Sequence, residues 1–143
     1  MKVVIQRVKS ASVLVEGKET ASIGEGFLLF VGIDKNDGLE DIGRMAKKIV
    51  KMRIIEDENG KMNLDIIGSK GEILSVPQFT LSARTEKGNR PGFDNAADPD
   101  KAKRLWIKFN DFLKKYGINI SEGTFGVHMD VSLVNDGPVT FVL

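Results

Sequence analysis

The chain has 143 residues, with 21 Lys and Arg against 20 Asp and Glu, one His and no Cys. That length suits one domain around one core, and the missing cysteines exclude disulfides, thiol nucleophiles and cysteine-bound zinc. His128 alone cannot make a two-histidine metal site, and a net charge of +1 excludes a strongly basic nucleic-acid coat while leaving room for a local patch.

The start, Met1 to Val8, is charged too early for a signal peptide. The longest apolar run, Phe27 to Ile33, is strand length rather than the roughly 20 residues that span a bilayer. The expectation is a soluble cytoplasmic protein with no membrane partner.

Val3 to Val8 is β-branched and reads as a strand. Ala11 to Glu16 alternates, Gly17-Lys18 reads as a tight turn, and Glu19 to Ile23 pairs back as a hairpin. Gly24 and Gly26 break the pattern before Phe27 to Ile33, which is apolar on both faces as a central strand is. Asp37 followed by Glu40 reads as an N-cap with a capping box. Leu39, Ile42, Ala46, Ile49 and Met52 then recur at helical spacing, and lysines near the far end suit the helix dipole. A strand at Arg53 to Glu56 and a turn at Asp57 to Gly60 follow, while Met62 to Ser69 fits no single pattern.

Glu72 to Ala83 reads as a long strand. Its Pro77 cannot donate to a ladder and predicts an edge, a bulge or an irregularity. Thr85 to Asp98 is turn chemistry. Asp98-Pro99 starts a second helix with Ala102, Leu105, Trp106, Phe109, Leu113 and Tyr116 on its apolar face, and Gly117 ends it. Ile118 to Ser121, Gly126 to Val134 and Val139 to Leu143 read as closing strands. The expected fold is α/β: a single domain over 1–143, with mixed β-sheets in barrel-like layers and two main helices packed on one side, a three-layer β/β/α arrangement.

Two stretches carry possible chemistry. Leu74 to Leu81 sets Gln78 and Thr80 into an apolar strand, where a period of two puts them on one face. A half-buried strand with a solvent-facing polar edge accounts for that pattern; a reactive site is the alternative. Val134 to Phe141 contains Gly137-Pro138, which reads either as a surface turn or as a cis peptide. Cis bonds occur at only about 5–6% of X–Pro positions in folded proteins, so one here would be a specific feature. A Gly-Pro pair also exposes main-chain carbonyls with little side chain in the way.

These residues carry a family resemblance that runs nearly end to end. It includes Val4-Ile5-Gln6-Arg7-Val8, Ser75 to Leu81 with Gln78-Phe79-Thr80-Leu81, Lys87-Gly88-Asn89-Arg90-Pro91, Gly123-Thr124-Phe125-Gly126 before Met129, and Val131 to Phe141. The chain resembles the D-aminoacyl-tRNA deacylases, the D-tyrosyl-tRNA(Tyr) deacylase family. The resemblance implies a cytoplasmic homodimer that hydrolyses the ester of D-aminoacyl-tRNA, and of mischarged glycyl-tRNA, as chirality proofreading in translation, with no cofactor and no metal. It implies that Gly137 and Pro138 enter the partner's site in a cis conformation and exclude L-aminoacyl groups. Arg7 then holds that motif, Gln78, Phe79 and Thr80 form the catalytic strand, and Phe125, Gly126 and Met129 lie near the terminal adenosine; Lys87 and Arg90 are tRNA-contact candidates from the local basic charge rather than from the resemblance. One departure stands out: the family pattern has serine before Gln-Phe-Thr, where this chain has Pro77.

An aminoacyl ester is already activated, so aiming a water and stabilising an oxyanion can suffice. Thr80 is the side-chain nucleophile candidate, but a threonine hydroxyl needs an adjacent base and none is evident; the substrate's own 2′-hydroxyl is the favoured assistant. His128 precedes Met129 in a predicted strand, so with Met129 toward the pocket His128 points away. Residues 84–115 hold nine Lys and Arg against five acids, which is either a solvated helix face or a phosphate-contacting patch. The rival readings are a non-catalytic homodimeric interaction protein and a deacylase with relaxed chirality.

Overall fold

Sustained alternation makes the first strand longer than the local breaks suggest. In the computed structural model, which describes residues 1–86 and 88–143, β1 runs unbroken over Lys2–Val15. Its inward residues Val3, Ile5, Val8, Ala11 and Val13 are buried. Glu16 and Gly17 then adopt positive φ, 51° and 75°, the pairing that a two-residue type I′ hairpin turn requires. The turn therefore sits one residue earlier than expected, and β2 (Lys18–Ile23) returns along β1.

β3 (Gly26–Gly32) is buried on both faces, as its continuous apolar run predicts. It lies antiparallel to the first half of β1 and parallel to β6 (Glu72–Pro77), which in turn lies parallel to β7 (Ile120–Glu122). β8 (Asp130–Val142) pairs with β1 along nearly its whole length. A hydrogen bond from Ser121 Oγ to the Ser22 carbonyl (3.0 Å) and one from Gly24 N to Glu72 Oε2 (2.8 Å) draw β2 toward β6 and β7, so the sheet nearly closes on itself. A small separate ribbon joins β4 (Ile55–Glu56) to β5 (Met62–Leu64).

Two apolar clusters follow from strand alternation. Phe27, Leu29 and Val31 of β3 face α1 (Leu39–Val50) and α2 (Pro99–Lys114), where they pack with Ile42, Ile49, Trp106, Phe109 and Leu113. Leu28 faces the other way and packs with Val8, Val13, Ile23, Leu74 and Val76 inside the curled sheet. The two helices on one side of barrel-like sheet layers match the expected class. No described helix is long and apolar enough to cross a membrane.

Three local readings are corrected. The α1 cap is Gly38, with Asp41 closing the box onto its N–H at 2.9 Å. Asp37 is instead drawn to the Met1 ammonium at 2.5 Å, a charge attraction that a local motif does not reveal. The Glu72 to Ala83 strand stops at Pro77, and Phe79–Ser82 form a 3-10 turn. The irregularity expected at Pro77 is present, since the regular strand ends there. Gln78 N donates to the Val31 carbonyl at 2.8 Å on the β3 side, so the missing N–H of Pro77 points toward β7, whose pairing has already ended at Ser75. Finally, Gly126 to Met129 lie before β8 rather than in it, and the predicted turn around Gly137 is an interruption inside that one strand.

Candidate active site

A cleft of about 530 Å³ opens where β3, β6, the start of α2 and the Phe125–Val131 segment meet. Its walls are mainly apolar: Val31, Ile33, Val76, Ala97, Trp106 and Phe125 among them. The termination of β6 at Pro77 creates its polar rim. There the Gln78 side-chain amide donates to Thr80 Oγ at 2.5 Å. The two groups do sit together as expected, but because a 3-10 turn folds the chain back rather than because of strand alternation. Phe79 projects outward and packs its ring against Phe93 with centroids 5.0 Å apart.

The floor is fixed by a residue that periodicity assigned only to the helix core. Trp106 Nε1 donates to Ser75 Oγ at 2.9 Å, both groups being buried. Its indole lies 6.1 Å from the Phe125 ring. Ser75 Oγ thus already accepts from Trp106, and its side chain is fully buried. Gly126 and Met129 line the same cleft, and Met129 Sδ accepts from Thr124 N at 3.3 Å. The His128 side chain is 93% exposed at the rim, with Asp130 Oδ1 at 3.5 Å. It borders the cleft while lying mostly in solvent, so it does not simply face away as expected, and it stands in an irregular segment where the strand argument does not apply.

The 3-10 turn is tied down from behind. Ser82 Oγ donates to Asp34 Oδ1 at 2.5 Å, and the Met1 ammonium meets Asp34 Oδ2 at 3.0 Å. Burial pushes the Asp34 carboxyl up, but the hydrogen bonds from Ser82 and the ammonium, with its charge, outweigh this and hold it below the ordinary 3.8.

A second group assembles around Arg7. Between the pairs Gln6–Thr140 and Val8–Asn135, β8 loops out Asp136 to Val139 opposite the single residue Arg7. The Gly137–Pro138 bond in this loop is cis. Asn135 bridges the base of the loop: its Oδ1 accepts from Val139 N at 2.7 Å, and its Nδ2 donates to the Val139 carbonyl at 3.2 Å. Arg7, only 4% exposed, donates from Nε to the Asp136 carbonyl at 2.9 Å. Its Nη1 reaches the Ile54 carbonyl at 3.0 Å and its Nη2 reaches Glu56 Oε1 at 2.8 Å.

The sequence-derived residues thus fall into two places. Gln78, Phe79, Phe125, Gly126 and Met129 line one cleft with Thr80 at its rim, whereas Gly137 and Pro138 are exposed and do not line the cleft of their own chain. Arg90 stands exposed in the 85–98 loop, and Lys87 lies outside the described residues. Trp106, Ser75, Asn135 and Glu56 were not singled out for these positions. Trp106 was visible as the sole tryptophan and Asn135 bonds locally to Val139, but Ser75 and Glu56 meet partners 31 and 49 positions away.

Comparison with known proteins gives the family. The D-Tyr-tRNA(Tyr) deacylase family matches residues 4–143. A D-aminoacyl-tRNA deacylase of Lactobacillus acidophilus is 54% identical over 143 residues, spanning 100% of this chain and 99% of that protein. Those of Thermosipho africanus and Bacillus velezensis are each 50% identical over 143 residues, again across all of this chain and 96% and 97% of theirs. Among solved structures, the c-Myc DNA unwinding element binding protein superposes with a TM-score of 0.94 at 39% identity, covering 100% of this chain and 97% of its own. A probable eukaryotic D-amino acid tRNA deacylase shares the fold, with a TM-score of 0.84 at 17% identity over 99% of this chain and 97% of its own. By its matched length and these full-length identities, the chain belongs to the D-Tyr-tRNA(Tyr) deacylase family of aminoacyl-tRNA hydrolases.

Proposed function

We propose that this enzyme hydrolyses the ester between a D-amino acid, or glycine, and the 3′-terminal adenosine of tRNA. Water adds to the ester carbonyl, and the tetrahedral intermediate collapses with expulsion of the ribose oxygen, which takes up a proton. The products are free tRNA and the amino acid. The observation that carries this reading is the apolar cleft with the Gln78–Thr80 pair at its rim, in a chain that matches its deacylase relatives over their whole length.

Thr80 serves as a rim group rather than a nucleophile in this reading. Its hydroxyl oxygen accepts from an amide, and an amide does not take up a proton as a general base must. The first-turn N–H groups at Phe79 and Thr80 have no partner within the 3-10 turn, and they are the donors we assign to the developing oxyanion. The 2′-hydroxyl of the substrate then supplies the remaining assistance. Phe125, Gly126 and Met129 hold the adenosine, and Arg90 and Lys87 meet tRNA phosphates. A Thr80→Ala protein that binds tRNA and folds normally yet loses all single-turnover hydrolysis overturns this assignment.

The Gly137–Pro138 loop acts as the chirality filter, placed in the cleft of a second copy in a two-fold homodimer. This is supported by its exposure and by its separation from the cleft of its own chain. Glycine has no side chain for the filter to reject. Hydrolysis of matched D-, L- and glycyl-tRNAs, with light scattering on the same samples, tests the whole reading. Rapid cleavage of the D- and glycyl forms alone by a dimer is expected. Equal cleavage of the L-form sinks the filter, and an active monomer sinks its cross-subunit placement.

A further inference from the structure

We infer that the β4–β5 ribbon is a positioning element for the Gly137–Pro138 loop, acting through Glu56 and the Ile54 carbonyl on Arg7. The inference rests on the filter reading above and names what sets the filter's geometry.

A guanidinium is a rigid planar fork. In Arg7 one edge of that fork is held where the chain enters the ribbon, at Ile54 O just before β4 (3.0 Å) and at Glu56 Oε1 within it (2.8 Å). The third nitrogen, Nε, donates to the Asp136 carbonyl at 2.9 Å. That carbonyl belongs to the peptide group leading into Gly137. Orientation imposed at one end of the plane is therefore delivered directly to the filter backbone.

The ribbon is built to hold its position. It forms a sheet of its own, apart from the main one. Arg53 donates from Nε to the Asn63 carbonyl at 2.7 Å and also meets the Asn63 side chain. Asp57 closes the turn by accepting from Asn59 N at 2.9 Å, Lys61 N at 3.1 Å and Asn63 Nδ2 at 3.0 Å. Its inner end presents Glu56 to a buried cation.

Two carboxylates compete for that cation. Asp136 Oδ2 lies 3.1 Å from Nε, on the loop itself. Glu56, 52% exposed, supplies the opposing pull from the ribbon side. Without its charge the guanidinium is drawn toward Asp136, and the loop loses its fixed reference. An ordinary half-exposed ion pair has no such consequence.

The test is single-turnover hydrolysis of matched D- and L-aminoacyl-tRNAs by the wild-type protein, E56Q, E56D, R7K and E56Q/R7K. General damage lowers both rates together, so the D-to-L ratio isolates the filter. Loss of a charge-assisted hydrogen bond predicts a ratio about tenfold lower in E56Q. E56D, which keeps the charge, stays closer to wild type. Because Glu56 acts through Arg7, the double variant is no worse than R7K alone. An unchanged ratio in E56Q, or additive losses in the double variant, overturns the inference. Should R7K fail to fold, the order of E56D and E56Q decides: E56D as poor as E56Q, or poorer, overturns it. A wild-type protein that does not discriminate refutes the filter reading itself, a result distinct from any effect of Glu56.

Discussion

The cleft and the Arg7 loop are stabilised by opposite kinds of interaction. The cleft is framed by burial: Trp106, Val31 and Val76 pack beneath it, with one buried hydrogen bond from Trp106 to Ser75. The loop is exposed at Gly137 and Pro138 and owes its shape to a nearly buried cation and to the Asn135 side chain. Packing resists small changes of volume but tolerates changes of surface charge. A charged fork does the reverse. The cleft should therefore respond to mutation in stability and substrate affinity, and the loop in substrate choice.

The sharpest attempt to break that contrast is Trp106→Ala. It removes the cleft floor and should lower unfolding free energy by about 3–5 kcal/mol, measured by urea denaturation. In the surviving folded protein KM should rise while the D-to-L ratio holds; a collapse of that ratio at normal stability would merge the two regions into one.

Gly137→Ala is the converse. The residue has φ +148°, and an added Cβ would meet Val139 N at 2.7 Å and its Cγ2 at 2.6 Å. A backbone held in such a region costs roughly 1–3 kcal/mol for a residue with a side chain, so a modest shift in denaturation midpoint should accompany faster cleavage of L-aminoacyl-tRNA. Retained discrimination would separate the loop from selectivity.

Ser75→Ala probes the cleft more gently. It strands the buried Trp106 N–H at a cost of about 1–3 kcal/mol. Trp106 is the only tryptophan, so its fluorescence should change along with stability, whereas the D-to-L ratio should not.

The smallest effect concerns the tie behind the 3-10 turn. The Asp34 carboxyl is held below its ordinary 3.8, so its contribution to stability is present above that value and is lost as pH falls through the depressed one. Asp34→Asn should be less stable than wild type at about pH 7, with the gap closing only as the pH falls below 3.8. A gap that stays constant with pH would show that the charge of Asp34 plays no part.

Much of the fold was legible in the chain. The continuous apolar run at Phe27 predicted the doubly buried β3, and Asp98-Pro99 marked the start of α2, with Asp98 Oδ1 accepting from Lys101 N at 3.0 Å. The misread boundaries share one cause. At Pro77 and in β8, local breakers competed with pairing to distant strands, and a one-dimensional pattern does not weigh the partner. A strand with a long neighbour such as β1 absorbs an interruption that would end an isolated one.

The amino-acid sequence by itself determined the α/β class, the family membership carried by its motifs, and the residue types of the cleft and of the Arg7 loop. These depend on composition, on spacing within one element and on the order of short motifs. Tertiary structure alone decided that Trp106, held by Ser75, lines the cleft, that Gly137 and Pro138 lie outside the cleft of their own chain, and that Glu56 shares Arg7 with the loop. Those relations join residues 31 to 129 positions apart, and the closeness of such groups is fixed by how strands pair and layers pack, which no local periodicity encodes.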